Sequence, residues 1–132
     1  MKSVITGSFL LLSVFCTGCL YDKFTPPPPA PLPASCDTTN VTYTAVIKPI
    51  LQQNCYECHS TTASNSQRPG YLFFDNFNEL KTIALAQSPA SNLRDRINHR
   101  GISPFMPFQR TKLDACTIRK IEKWVEAGCP NN

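Results

Sequence analysis

Cys55-Tyr56-Glu57-Cys58-His59 sets two thiols three residues apart and places an imidazole directly after the second. Thiols at that spacing can each add to a vinyl group of one haem, and the adjacent imidazole can then reach its iron. C-x-x-C-H is the attachment pattern of c-type haem. The same five residues also suit half of a zinc site, a redox-active dithiol followed by a histidine, or a structural disulfide. A four-ligand zinc site needs a second close pair of Cys or His. The remaining cysteines, Cys16, Cys19, Cys36, Cys116 and Cys129, offer none outside the N-terminal apolar region. That disfavours zinc and leaves the redox dithiol and the structural disulfide open. On the haem reading one covalently attached haem is the expected cofactor, with Cys55 and Cys58 as its anchors and His59 as a ligand to its iron.

A ligating histidine needs an acceptor for the hydrogen on its other ring nitrogen, because that bond orients the ring and sets its basicity. For His59 the expected acceptor is a backbone carbonyl near Pro69. The opposite iron face needs a second ligand if the iron is only to change its charge. Apart from Met1 the chain has a single methionine, Met106, within Ser103-Pro104-Phe105-Met106-Pro107. A thioether raises the haem potential, and flanking prolines stiffen the loop that presents it. His99 is the alternative sixth ligand, being the only other histidine, and a pair of imidazoles would lower the potential instead.

These residues need a compartment and a scaffold. Lys2 followed by the apolar run Phe9 to Phe15 reads as a secretory signal, too short to span a bilayer. The run ends in Cys16-Thr17-Gly18-Cys19, which resembles the lipobox of bacterial lipoproteins, although Cys16 stands where Leu is usual. Residues 1–18 are then a removed signal peptide and Cys19 carries the lipid; a plain signal peptide cut nearby is the alternative. Residues 19–35 contain Pro26 to Pro29, Pro31 and Pro33. Such a segment favours polyproline II and acts as a semi-rigid spacer holding the domain off the membrane. Export also places the cysteines where disulfides persist. Without residues 1–18, twelve Lys and Arg face nine Asp and Glu, too small an excess to argue for nucleic acid.

The domain occupies residues 36–132, few enough that apolar burial alone leaves it marginal and an apolar cofactor would add a centre to pack around. Val46, Ile47, Ile50 and Leu51 recur at helical spacing before the thiols, with Thr44 as cap and Pro49 kinking this helix or starting its longer part. Asn76 with Glu79 predicts a capping box, and Phe77, Leu80 and Ile83 a helix face. Ser91, Leu93 and Ile97 predict a short helix. Asp114 caps a last helix with the stripe Ile118, Ile121, Trp124 and Val125, which Gly128 and Pro130 end. No stretch alternates with period two, so the expected fold is all-α, about four helices joined by loops at 59–74 and 100–110.

Cys55-Tyr56-Glu57-Cys58-His59 after a first helix, Met106-Pro107 late in the chain and a last helix with Ile118, Ile121 and Trp124 together resemble a class I c-type cytochrome. Ile47-Lys48-Pro49-Ile50-Leu51 before Asn54-Cys55, and Trp124-Val125-Glu126-Ala127-Gly128 at the end, are similar to the short exported bacterial monohaem cytochromes described as planctomycete-type or cytochrome c-like domains. The resemblance covers nearly all of 36–132 and implies helices wrapped around one haem c, Cys55 and Cys58 as thioether anchors, and His59 and Met106 as axial ligands. Two features depart from the pattern: the loop after His59 is short, and Cys129 stands where Ala is usual. First and last helices meet in that family, which implies a Cys36–Cys116 disulfide, Cys129 staying free at a frayed end; Cys36–Cys129 is the other pairing.

The implied function is single-electron transfer between exported or membrane redox partner proteins, without enzymatic turnover, by a protein lipid-anchored to a membrane and facing the periplasm or cell surface. Eight basic residues against three acidic ones between Arg94 and Lys123 would steer an acidic partner. Two other readings carry different consequences. One is a small-ligand sensor or peroxidase-like protein with a labile Met106. The other is a haem-free surface module held by disulfides.

Overall fold

The computed structural model describes residues 31–64, 71–88, 92–101 and 103–132. A π-helical turn, Tyr43–Ile47, runs into α1 (Lys48–Asn54), followed by α2 (Phe77–Ala84), α3 (Leu93–Asn98) and α4 (Ala115–Glu126). The described residues contain no strand, in keeping with the all-α expectation. The expected signal peptide 1–18, the expected lipidation site Cys19 and the linker as far as residue 30 lie outside the described residues. No helix among the described residues is long and apolar enough to cross a membrane.

Pro49 shapes the entry to α1. It sits in the first turn of the α-helical part, where its missing N–H costs nothing, but its ring would meet the carbonyl four residues back in a continuous α-helix. The preceding turn is wide instead: Ile47 donates its N–H to Thr42 O at 3.1 Å, five residues back. Pro49 thus starts the longer part of this helix. The cap is Thr42, whose hydroxyl accepts from Ala45 N–H at 3.4 Å, and not the expected Thr44. Thr44 has another use, donating its N–H to Asn132 O at 2.9 Å. Tyr43 N–H donates to the Asn132 side chain at 2.9 Å, so the last residue satisfies donors at the start of the first helix.

Each later helix begins at a side chain that accepts otherwise unpaired N–H groups. Asn76 accepts from Asn78 at 3.1 Å and Glu79 at 3.4 Å. The capping box predicted there is modified. Glu79 accepts from the Asn76 side-chain amide and from Phe73 N–H, both at 3.1 Å. At α3 the cap is Asn92, accepting from Arg94 at 2.8 Å and Asp95 at 3.3 Å; the expected Ser91 lies outside the described residues. Asp114 caps α4 by accepting the N–H and hydroxyl of Thr117 at 2.9 and 2.6 Å, and those bonds hold its carboxyl below the usual range.

Gly128 ends α4 with φ of 82°, a conformation that side-chain-bearing residues adopt at a steric cost. Its N–H reaches Val125 O at 2.9 Å and the next N–H, of Cys129, reaches Trp124 O at 3.0 Å. This pair of bonds closes the last turn and turns the chain back over the helix. Cys129 is fully buried in the core as a result, which corrects the expectation of a frayed end. Burial also pushes its thiol up to about 11.

The core gathers Tyr43, Ile47 and Leu51 with Leu80, Ile83, Leu93 and Ile97 and the α4 stripe Ile118, Ile121, Trp124 and Val125. Trp124, without exposed surface, stacks on Tyr43 at 5.8 Å and donates its indole N–H to Pro130 O at 2.9 Å. Cys36 and Cys116 form a disulfide with Cα atoms 5.5 Å apart, across 80 residues of sequence. Closing a loop that long constrains the unfolded chain by about 4 kcal/mol. Cys129 is left unpaired.

Candidate functional site

The turn that ends α1 carries the two thiols. Cys55 N–H and Tyr56 N–H both reach Leu51 O, at 2.8 and 3.0 Å, and Cys55 O in turn accepts from Cys58 at 3.1 Å and His59 at 2.7 Å. The chain therefore coils back on itself and brings Cys58 and His59 round beside Cys55. Both thiols are unbonded, Cys55 half-buried and Cys58 exposed. Burial, with the neighbouring Cys58, pushes the Cys55 thiol up to about 12. A low thiol pKa favours exchange chemistry, and the shift at Cys55 runs the other way. Among the described residues no three His, Cys, Asp or Glu side chains gather as a metal-binding group.

His59 is held by its ring. Its Nδ1 lies 3.0 Å from Leu72 O, and because a carbonyl only accepts, Nδ1 carries the hydrogen. In the neutral ring Nε2 is then the atom with a lone pair. The acceptor is Leu72; Pro69, near which it was expected, lies outside the described residues. Phe74 and Tyr71 stack on the imidazole with centroids at 4.6 and 5.3 Å. Residues 71–75 are themselves fastened at successive positions. Phe74 N–H donates to His59 O at 2.8 Å, Phe73 N–H to Glu79 at 3.1 Å, and Tyr56 OH to Phe74 O at 3.3 Å. The N–H and hydroxyl of Thr61 donate to Asp75 at 2.9 and 2.6 Å. An imidazole in this cradle has one tautomer and little rotational freedom.

Met106 is held differently, through its backbone. Its N–H donates to Arg96 O at 3.0 Å, and its carbonyl lies 3.2 Å from His99 Nε2, which must donate. The Arg96 guanidinium donates to Pro104 O at 2.7 Å, and His99 stacks on Phe105 at 5.1 Å. The whole strap is thus tied to the last turn of α3. Both X-Pro bonds in it, Ser103-Pro104 and Met106-Pro107, are cis. The thioether itself is half-buried against the core.

Two observations connect the thiol turn with the methionine strap. Cys55, Tyr56 and Met106 all pack against the same core cluster, and Glu57, between the thiols, pairs with Arg110 just beyond Met106 at 2.8 Å. Large apolar side chains stay exposed beside each half. Leu72, whose carbonyl holds His59, is 38% exposed, and Phe108, two residues after Met106, is 58% exposed. Leu72 also lines a small apolar recess of about 260 Å³ with Thr82 and Ile83. A larger cleft of about 460 Å³ lies elsewhere, between α3 and α4, and is walled by charged groups including Arg94, Arg119 and Glu126.

The basic segment is more neutralised than its sequence count implies. Arg119 pairs with Glu122 and Glu126 at 3.4 and 2.8 Å, Lys123 with Glu126 at 3.3 Å, Arg100 with Asp95 at 3.6 Å, and Arg110 with Glu57. Among the described residues Lys112 and Lys120 make no ion pair with a carboxylate.

The sequence singles out Cys55, Cys58 and His59 by spacing and Met106 as the one methionine besides Met1, but not Tyr71, Leu72 and Phe74, which hold the imidazole, nor Arg96, which holds the strap. The only sequence sign of the first group was the aromatic cluster Tyr71, Phe73 and Phe74. Comparison with known proteins adds no relative: no family model, curated protein or solved structure matches this chain.

Proposed function

We propose that this chain is a monohaem c-type cytochrome that carries single electrons between redox partner proteins, exported and lipid-anchored through Cys19. The observation that carries the reading is the turn after α1, where two unbonded thiols adjoin a histidine whose Nδ1 is already committed to a backbone carbonyl. That donor set fits haem c. Cys55 and Cys58 would hold the macrocycle through thioethers, and His59 Nε2 and Met106 Sδ would hold its iron. The exposed Leu72 and Phe108 support the same reading, since apolar side chains beside a candidate site are what a flat apolar group would cover.

When bound, haem c supplies a one-electron iron couple. The chain's contribution is rigidity and polarity. The Leu72 carbonyl increases the electron density of the imidazole through Nδ1–H, and the stacked Phe74 and Tyr71 keep its plane fixed, so little rearrangement accompanies a change of charge. Met106, as a soft thioether in a partly buried position, favours the reduced state. Lys112 and Lys120 are among the charges available to attract an acidic partner, an effect on association rate that fades with salt.

The test is the intact mass and the haem-stained denaturing gel of protein made in a bacterium competent in cytochrome c maturation. One haem that survives denaturation, and is lost when Cys55 and Cys58 are both changed to Ser, is the expected result. A colourless chain would sink the reading in favour of a disulfide-held module, and haem that leaves in acid acetone would sink covalent attachment.

A further inference from the structure

Both backbone polar groups of Met106 end on the last turn of α3, its N–H on Arg96 O at 3.0 Å and its carbonyl on His99 Nε2 at 3.2 Å. His99 occupies a left-handed position, φ 57°, which a non-glycine residue takes only where surrounding contacts hold it there. That position swings the ring off the helix end and onto the strap, where it stacks on Phe105 at 5.1 Å. Its Nε2 hydrogen is committed to the Met106 carbonyl, so in the neutral ring Nε2 has no lone pair left to give a metal. We infer that His99 is a positioning residue for the Met106 thioether, a clamp on the strap whose Nε2 serves as a donor and not as an iron ligand.

The inference rests on the proposal that Met106 ligates haem iron and adds how that ligand is kept in place. Met106 has no polar side-chain atom able to anchor it strongly, so its aim follows from where its backbone is pinned. Arg96 fixes the start of the strap through Pro104 O at 2.7 Å, and His99 fixes the carbonyl side. Removing the ring should free one end of the strap while the helix cap, which is made by backbone bonds from His99 and Arg100 N–H to Arg96 and Asp95, remains.

The experiment compares ferric holoproteins carrying His99→Gly, His99→Gln or Met106→Ala. Glycine suits the left-handed backbone and removes the ring; glutamine keeps an N–H donor. The readouts are the charge-transfer band of a sulfur–iron bond and the rate of cyanide binding to ferric iron. His99→Gly is expected to keep covalent haem and helix content, weaken the band, and bind cyanide about two- to tenfold faster, the size of one lost hydrogen bond. His99→Gln is expected to recover much of both, and Met106→Ala to abolish the band. A His99→Gly protein with an unchanged band and cyanide rate would overturn the clamp while leaving Met106 as ligand. A wild-type protein without the band, whose low-spin state is lost in His99→Gly but kept in Met106→Ala, would overturn both, as would wild-type protein without covalent haem.

Discussion

His59 and Met106 are held in opposite ways. The histidine is fixed by its own ring, through a bond from Nδ1 to Leu72 O at 3.0 Å and stacking on Phe74 and Tyr71. The methionine is fixed by its backbone, and its side chain rests on packing alone. A ring gripped at its second nitrogen cannot turn without breaking that bond, whereas a thioether can move whenever its strap loosens. In the proposed cytochrome the methionine side is therefore the one that gives first.

The largest expected effect comes from removing the floor of the histidine cradle. Phe74→Ala should lower stability by about 3–5 kcal/mol, the usual range for truncating a buried aromatic, as measured by denaturant unfolding. A loss below about 1 kcal/mol would mean that the cradle is not part of the core, and the contrast with the strap would fall.

On the other side, Asn92→Ala should cost about 1–2 kcal/mol, because the buried side chain caps α3 and the strap is tied to that helix. The same variant should weaken Met106 ligation in the ferric spectrum and leave His59 in place. Equal loosening of both ligands would show that the two halves are one cooperative unit.

Acid provides a third, smaller handle. Burial would raise the Asp75 carboxyl, but the hydroxyl and N–H of Thr61 outweigh it and hold the group below its ordinary value. A carboxyl depressed in the folded state adds stability above its unfolded pKa and loses it as pH falls through the folded value. The Thr61–Asp75 tie behind His59 should therefore weaken below about pH 4, and the slope of stability against pH there should be shallower in Asp75→Asn. Parallel slopes would remove Asp75 from the cradle. Least of all should come from Glu57→Gln, which breaks an exposed ion pair worth at most about 1 kcal/mol. A greater loss in thermal unfolding would show that this pair, and not α3, carries the strap.

Much of this arrangement was legible in periodicity. The α4 stripe Ile118, Ile121, Trp124 and Val125 is fully in the core, and Leu80, Ile83, Leu93 and Ile97 face inward as their spacing predicted. Cap positions were less legible where two polar residues lie close together. Thr42 won over Thr44 because Asn132, distant in sequence, takes the Thr44 N–H. The His59 acceptor was legible only as a backbone carbonyl near Pro69 and not as Leu72 itself, since a carbonyl has no sequence signature and Leu72 is selected by how 71–75 folds against 59–61. Cys129 was misplaced for a related reason: Gly128 was read as a stop, but the bonds from 128 and 129 back to Val125 and Trp124 also fold the chain inward.

The claim that separates an electron carrier from a small-ligand sensor is that both iron faces are closed by this chain. Titrating the reduced holoprotein with carbon monoxide tests it most directly, with Met106→Ala as the opened control. The account predicts no spectral change in the wild-type protein at equilibrium and saturable binding in Met106→Ala. Saturable carbon monoxide binding to the wild-type protein would contradict it.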